Sequence, residues 1–148
     1  MNLGTLAATI AAIMLGAPAL AATIHLTCNE TEVIKHNETI NTAGRVSTPT
    51  KSIKPLKGIL VMISPDQGNA KVWHSEYSLT VYPTRYELRK IPQKDQPSDS
   101  IINMSNTFKI NRETLEMRYS ESIQSIQWGR YIRQSTKSER EAVGTCKI

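Results

Sequence analysis

The sequence predicts an all-β protein, mainly antiparallel, a small single-domain barrel or sandwich closed by one disulfide. Three observations predict it. Apolar residues alternate with polar ones in short stretches, as half-buried strands require. Pro, Gly, Asn and Asp punctuate those stretches at short intervals, as turns do. The only two cysteines, Cys28 and Cys146, stand at opposite ends of the chain beyond its leader.

The leader comes first. Residues 1–22 read MNLGTLAATIAAIMLGAPALAA. An apolar run from Leu6 to Leu15 is followed by Gly16, Pro18 and Ala19-Leu20-Ala21. That order matches a secretory signal peptide with cleavage after Ala21 or Ala22, although no Lys or Arg precedes the run. The run is short for a bilayer span of about 20 residues, and Pro18 interrupts it. No transmembrane segment is expected after signal removal. The expected domain is 23–148, periplasmic or secreted.

Ile24, Leu26 and Cys28 alternate with Thr23, His25 and Thr27, which places His25 outside. The stretch TEVIKH reads as a short second strand, and Asn37 to Ser52 as a long polar loop. KGILVMIS (residues 57–64) is a continuous apolar run, read as a central strand buried on both faces. Pro65 and Gly68 in SPDQGN mark a turn. AKVWHSEYSLTVY gives two alternating stretches, with Tyr77, Leu79 and Val81 on one face and an end at Pro83. RYELRKI continues as strand, and Pro92 to Ser100 reads as surface loop. TFKINRETLEMRY reads as a β-hairpin: Phe108 and Ile110 share a face, Asn111 to Thr114 turn, and Leu115, Met117 and Tyr119 come after. IQSIQWGRYIRQS reads as one alternating strand, TKSERE as a charged turn or short helical loop, and AVGTCKI as the closing strand.

Export puts Cys28 and Cys146 where disulfides persist. Only one intramolecular pairing exists, and 118 positions separate the two, unlike the close spacing of metal ligands. The expected bond clasps the first strand to the last.

Net charge is +5. Thr23 to Thr84 holds six Lys/Arg against five Asp/Glu; Arg85 to Ile148 holds twelve against eight. An excess this mild argues against nucleic acid. It suits an unknown envelope protein or an anionic glycan as partner. Hydrolase signatures are missing: there is no G-x-S-x-G, H-E-x-x-H, P-loop or Rossmann fingerprint, so no cofactor, metal ligand set or catalytic residue is assigned. His74 and Glu76 share a strand face, but two ligands do not make a metal site. Glu113 and Glu116 flank a turn and read as solvated. QWGRYIR supplies the binding candidates Trp128, Arg130, Tyr131 and Arg133, because an aromatic face beside fixed donors holds sugars and phosphates. At strand spacing, Trp128 is first read as a core residue.

FKINRETLEMRY and the terminal VGTCKI carry a resemblance. Ile110, Asn111, Arg112, Thr114, Gly144 and Cys146 resemble the tail of small uncharacterised exported proteins of proteobacteria, which have an Asn-Arg-x-Thr hairpin and a C-terminal Gly-x-Cys. Those proteins carry Gly after the Thr. This chain has Leu115, so a different turn is expected. The resemblance implies an exported, periplasmic β-rich domain and no catalytic residues. The expected function is therefore a non-enzymatic envelope binding or accessory protein. The alternatives are an inhibitor of a lysozyme-type enzyme, which at this net charge needs a locally acidic loop and is disfavoured for it, and a small envelope hydrolase, which needs a polar cleft.

Overall fold

The computed structural model describes residues 22–91, 100–129 and 133–148. The leader expected at 1–22 lies outside them but for Ala22. So does the loop expected at 92–100 but for Ser100. Among the described residues there are ten strands and one short 3-10 turn, and no helix is long and apolar enough to cross a membrane.

The alternation of Ile24, Leu26 and Cys28 opens β1 (Ile24–Asn41), which runs for 18 residues. The separate second strand and the loop from Asn37 are therefore corrected. A bulge hides the continuity. Pairing with the last strand shifts between Glu30 and Glu32, so the buried positions move from Leu26, Cys28 and Glu30 to Val33. One extra residue reverses the phase of everything after it. Beyond Asn41, β2 (Gly44–Ser47) and β3 (Lys51–Ser52) fold back along β1.

The apolar run becomes β4 (Ile59–Ser64), but only Ile59, Val61 and Ile63 are buried; Leu60 and Met62 face out. The expectation of burial on both faces fails because a barrel wall has one solvent side. A 3-10 turn (Pro65–Gln67) comes next, with Gly68 at φ 62°. A residue without Cβ takes that conformation at no steric cost. β5 (Asn69–Val72) and β6 (Ser75–Val81) are joined by Trp73 and His74. His74 is thus a turn residue, not the strand partner of Glu76. β7 (Arg85–Lys90) starts after Pro83.

β8 (Ser100–Asn111) and β9 (Glu116–Trp128) form the expected hairpin. Asn111 Oδ1 accepts the N–H groups of Glu113 and Thr114 at 2.8 and 2.9 Å. Leu115 takes φ 57°, the left-handed region that glycine favours. Leucine holds that conformation here without a glycine. Arg112 ties this hairpin to its neighbour, donating from Nη1 to the carbonyls of Tyr82 and Pro83 at 3.1 and 3.3 Å.

β10 (Arg133–Lys147) takes in TKSERE, which is strand rather than turn or helix. The stretch expected as one strand around QWGRY instead spans the connection between β9 and β10, whose pairing begins at Trp128 opposite Arg133.

Pairing runs β10-β9-β8-β7-β6-β5-β4-β1 and closes through β1 with β10. The sheet is therefore a closed eight-stranded antiparallel barrel, with β2 and β3 added on β1. An eight-stranded barrel is just wide enough for side chains to fill. Leu26, Val61, Ile63, Val72, Leu88, Phe108, Ile110 and Met117 fill it. Phe108 packs edge-on to Tyr77 at 5.8 Å and tilted on Tyr119 at 4.4 Å.

The closing seam carries the disulfide. Cys28 and Cys146 are bonded and directly opposed in the β1–β10 ladder, with Cα atoms 3.9 Å apart. Both are buried. Gly144 lies beside them on the same seam. A Cβ there would overlap the Asn29 carbonyl oxygen and stand 2.8 Å from Glu30 Cα. Glycine is needed for close approach, not for an unusual φ.

The strands are unequal. β1 at 18 residues spans about 60 Å, against about 20 Å for the six residues of β4. The first half of β8, the second half of β9, the first half of β10 and the second half of β1 pair with one another past the barrel core. They form a projecting blade. Side chains on both of its faces are exposed or half-buried.

Candidate functional site

Of the binding candidates read from the sequence, Trp128 and Arg133 are cross-strand partners at the end of the blade. Arg130 and Tyr131 lie outside the described residues. Trp128 is 50 % exposed, so the reading of it as a core residue is corrected. The alternation that suggested burial continues past the point where the barrel ends, and the core does not extend with it.

Two sites that sequence reasoning missed are better built. The first is the barrel mouth, at the end where the blade begins. The bulge in β1 leaves Glu30 facing inward, 1 % exposed. Arg140 Nη2 from β10 reaches both its oxygens, at 2.6 and 2.7 Å. The Leu56 N–H donates to Oε2 at 2.7 Å. Lys57 Nζ adds a bond to the Glu30 carbonyl at 3.1 Å. A carboxylate with these donors is fully committed to the fold. Beside it, Asn106, Glu121 and Arg140 occupy one row across β8, β9 and β10. Tyr119 Oη donates to Glu121 Oε2 at 2.7 Å, and Asn106 Nδ2 donates to the same oxygen at 3.3 Å. The Arg140 guanidinium also lies 5.2 Å from the Tyr119 ring centre.

This network shifts the tyrosines. Burial pushes the Tyr119 hydroxyl far above its ordinary value, and its donation to Glu121 adds to that. Burial raises Tyr77 as well, against the opposing effect of its hydrogen bond with Asn106. Asn106 is 6 % exposed, yet its Oδ1 has no hydrogen-bond partner. A buried amide oxygen left so costs about 1–3 kcal/mol. The mouth encloses a cavity of about 200 Å³ whose lining includes Trp73, Tyr77, Lys90, Asn106, Tyr119 and Glu121.

The second site is on the outside. Alternation on β7, β8 and β9 turns Leu88, Phe108, Ile110, Met117 and Tyr119 inward, so Arg85, Glu87, Arg89, Lys109 and Arg118 share the outer wall. Glu87 is opposite Lys109, and Lys109 is opposite Arg118. Glu87 is 4 % exposed despite facing out, because arginines cover it. Arg89 donates to Oε1 from both Nη2 and Nε, at 2.7 and 2.9 Å, and Arg85 Nη2 approaches Oε2 at 3.5 Å. The Arg89 hydrogen bonds hold the Glu87 carboxyl below the usual carboxylate range against its burial, and the charges of Arg89, Lys109 and Arg85 assist. Like charges directly opposite on a sheet repel, so Lys109 against Arg118 is a pair that an anion would relieve.

Around the barrel, the outer side of β1 and β10 is different. Ile34, His36, Thr50, Glu139 and Glu141 line a shallow depression there. Glu139 pairs with Lys137 at 2.7 Å. Among the described residues, no group of three or more His, Cys, Asp or Glu side chains is placed to hold a metal ion.

Compared with known proteins, the chain matches no protein-family model, no curated protein and no solved structure.

Proposed function

We propose that this chain is an exported, non-enzymatic binding module of the cell envelope that holds an anionic partner, an acidic glycan, on the outer wall of β7, β8 and β9. One observation carries the reading. Arg85, Arg89 and Lys109 surround a single buried carboxylate, Glu87, and Arg118 extends the row beyond Lys109. Guanidinium groups are suited to carboxylates and phosphates, and Arg89 already holds one Glu87 oxygen through both Nε and Nη2.

The test is binding of the full chain to an acidic polysaccharide, measured by fluorescence polarisation from low to high salt. Screening shortens the reach of a charge from about 10 Å at 0.1 M salt to about 3 Å at 1 M. Affinity should fall steeply across that range, and Lys109→Ala with Arg118→Ala should weaken it and flatten the slope. Flat salt dependence, or full affinity in the double variant, rejects the reading.

A second reading rests on the outer side of β1 and β10. An inhibitor of a basic lysozyme-type enzyme needs a locally acidic surface, and Glu139 and Glu141 supply one beside Ile34 and His36. Loss of capture of a basic muramidase in Glu139→Gln/Glu141→Gln, with glycan binding unchanged, would favour it. The hydrolase reading has its polar cleft, with Glu30 and Glu121 both lining it. It is weakened because Glu30 is occupied by Arg140 and the Leu56 N–H, which leaves Glu121 without a second working carboxylate.

A further inference from the structure

The barrel mouth is separate from the outer basic wall, and its chemistry is unbalanced in a specific way. Three donors inside already have partners. Arg140 is on Glu30, and both the Tyr119 hydroxyl and the Asn106 amide nitrogen are on Glu121. Two acceptor oxygens beside them have room. Asn106 Oδ1 has no partner although the residue is 6 % exposed. Glu121 receives both its bonds on Oε2, while a carboxylate can accept about four. An occupant that donates would satisfy both oxygens. An ammonium group donates three times and accepts nothing, and the rings of Tyr77, Phe108 and Tyr119 that line the space attract a cation.

Charge limits the choice further. Glu30 and Glu121 are matched in the lining by Arg140 and Lys90, so a ligand with net charge would unbalance it. Lys90 is half-buried at the end of β7, directly opposite Tyr77, and is placed to receive an anionic group. The cavity of about 200 Å³ holds only six or seven water volumes at about 30 Å³ each.

We infer that the barrel mouth is a binding site for a small free zwitterion of the amino-acid type, its ammonium on Glu121 and Asn106 and its carboxylate on Lys90. The test is isothermal titration calorimetry of the disulfide-intact chain with alanine, 4-aminobutyrate, butylamine and butyrate. At least one of the two zwitterions should bind, tenfold or more tighter than butylamine, and butyrate should not. Glu121→Gln should weaken the zwitterion tenfold or more. Lys90→Met, a change at the rim that touches none of the network, should bring the zwitterion down to the level of butylamine. The side-chain amide signal of Asn106 in nitrogen-15 NMR should move on saturation. Failure of both zwitterions to bind the wild-type chain overturns the inference. So does butylamine binding as tightly as the zwitterions, or unchanged affinity in either variant.

Discussion

The ion pair between Glu30 and Arg140 allows a sharp test of how the barrel is closed. Glu30 is 1 % exposed, and the Arg140 side chain is 14 % exposed. They join β1 to β10 across the seam. Arg140→Met removes the cation and leaves the carboxylate with the Leu56 N–H at 2.7 Å and little else. Stranding one member of a buried pair costs about 3–5 kcal/mol. For a domain of this size, about 4 °C of melting temperature goes with each kcal/mol, so a fall of about 12–20 °C is expected in a thermal melt monitored by circular dichroism. The double variant Glu30→Gln/Arg140→Met separates the causes. Gln at position 30 still accepts from Leu56 but carries no charge to bury. It should recover most of the loss, because replacing both members of a buried pair is often close to neutral. The reasoning is refuted if the double variant melts as low as Arg140→Met. That result would mean Arg140 acts through its packing on Tyr119 and not through Glu30.

Two further outcomes concern the clasp and the response to pH. Cys146→Ser removes the clasp over a separation of 118 residues; the chain-entropy relation puts the loss at about 5 kcal/mol, read as a large fall in melting temperature, while affinity for the acidic glycan below that temperature should be unchanged. Stability should also bend at both ends of the pH scale. Glu87 is held below its ordinary value of 4.5, so its contribution is full above about pH 4.5 and is lost as pH falls through its folded value, and urea melts of Glu87→Gln should show a flatter acid limb. Tyr77 and Tyr119 are raised above 10.0, so their contribution is full below about pH 10 and declines above it; tyrosinate absorbance should show both ionising above the ordinary tyrosine range.

The barrel was legible where one face of a strand is buried. Phe108, Ile110, Met117 and Tyr119 wrote the hairpin into the sequence because each sits inside and its neighbours sit outside. The two cysteines were legible because two of them allow only one intramolecular pairing, and that bond is present. The motif residues proved to be structural. Asn111 caps the turn, Arg112 ties it to Tyr82 and Pro83, and Gly144 allows β10 to touch β1. The hidden part lies beyond the core. Thr136 to Glu141 is strand only because it continues β10 between two partners, and a sheet with no buried face leaves no alternation to read. The mouth was hidden for another reason. Glu30, Asn106, Glu121 and Arg140 are spread over 110 positions, and a bulge that no local pattern announces turns the first of them inward.

The charge of the surface shows the same limit and points to how the module works. Counting along the chain put the basic excess after Arg85, which is correct as a sum and misleading as a place. The barrel sets the last strand beside the first, so Glu139 and Glu141 of β10 flank Ile34 and His36 of β1. Arg85, Arg89, Lys109 and Arg118 gather on β7, β8 and β9. A protein with such a field is turned as well as attracted by a charged partner. An acidic polymer would meet β7 to β9 first, with the glutamates of β10 beginning one strand further around. The order of strands, more than the amount of charge, decides which side of this molecule is presented.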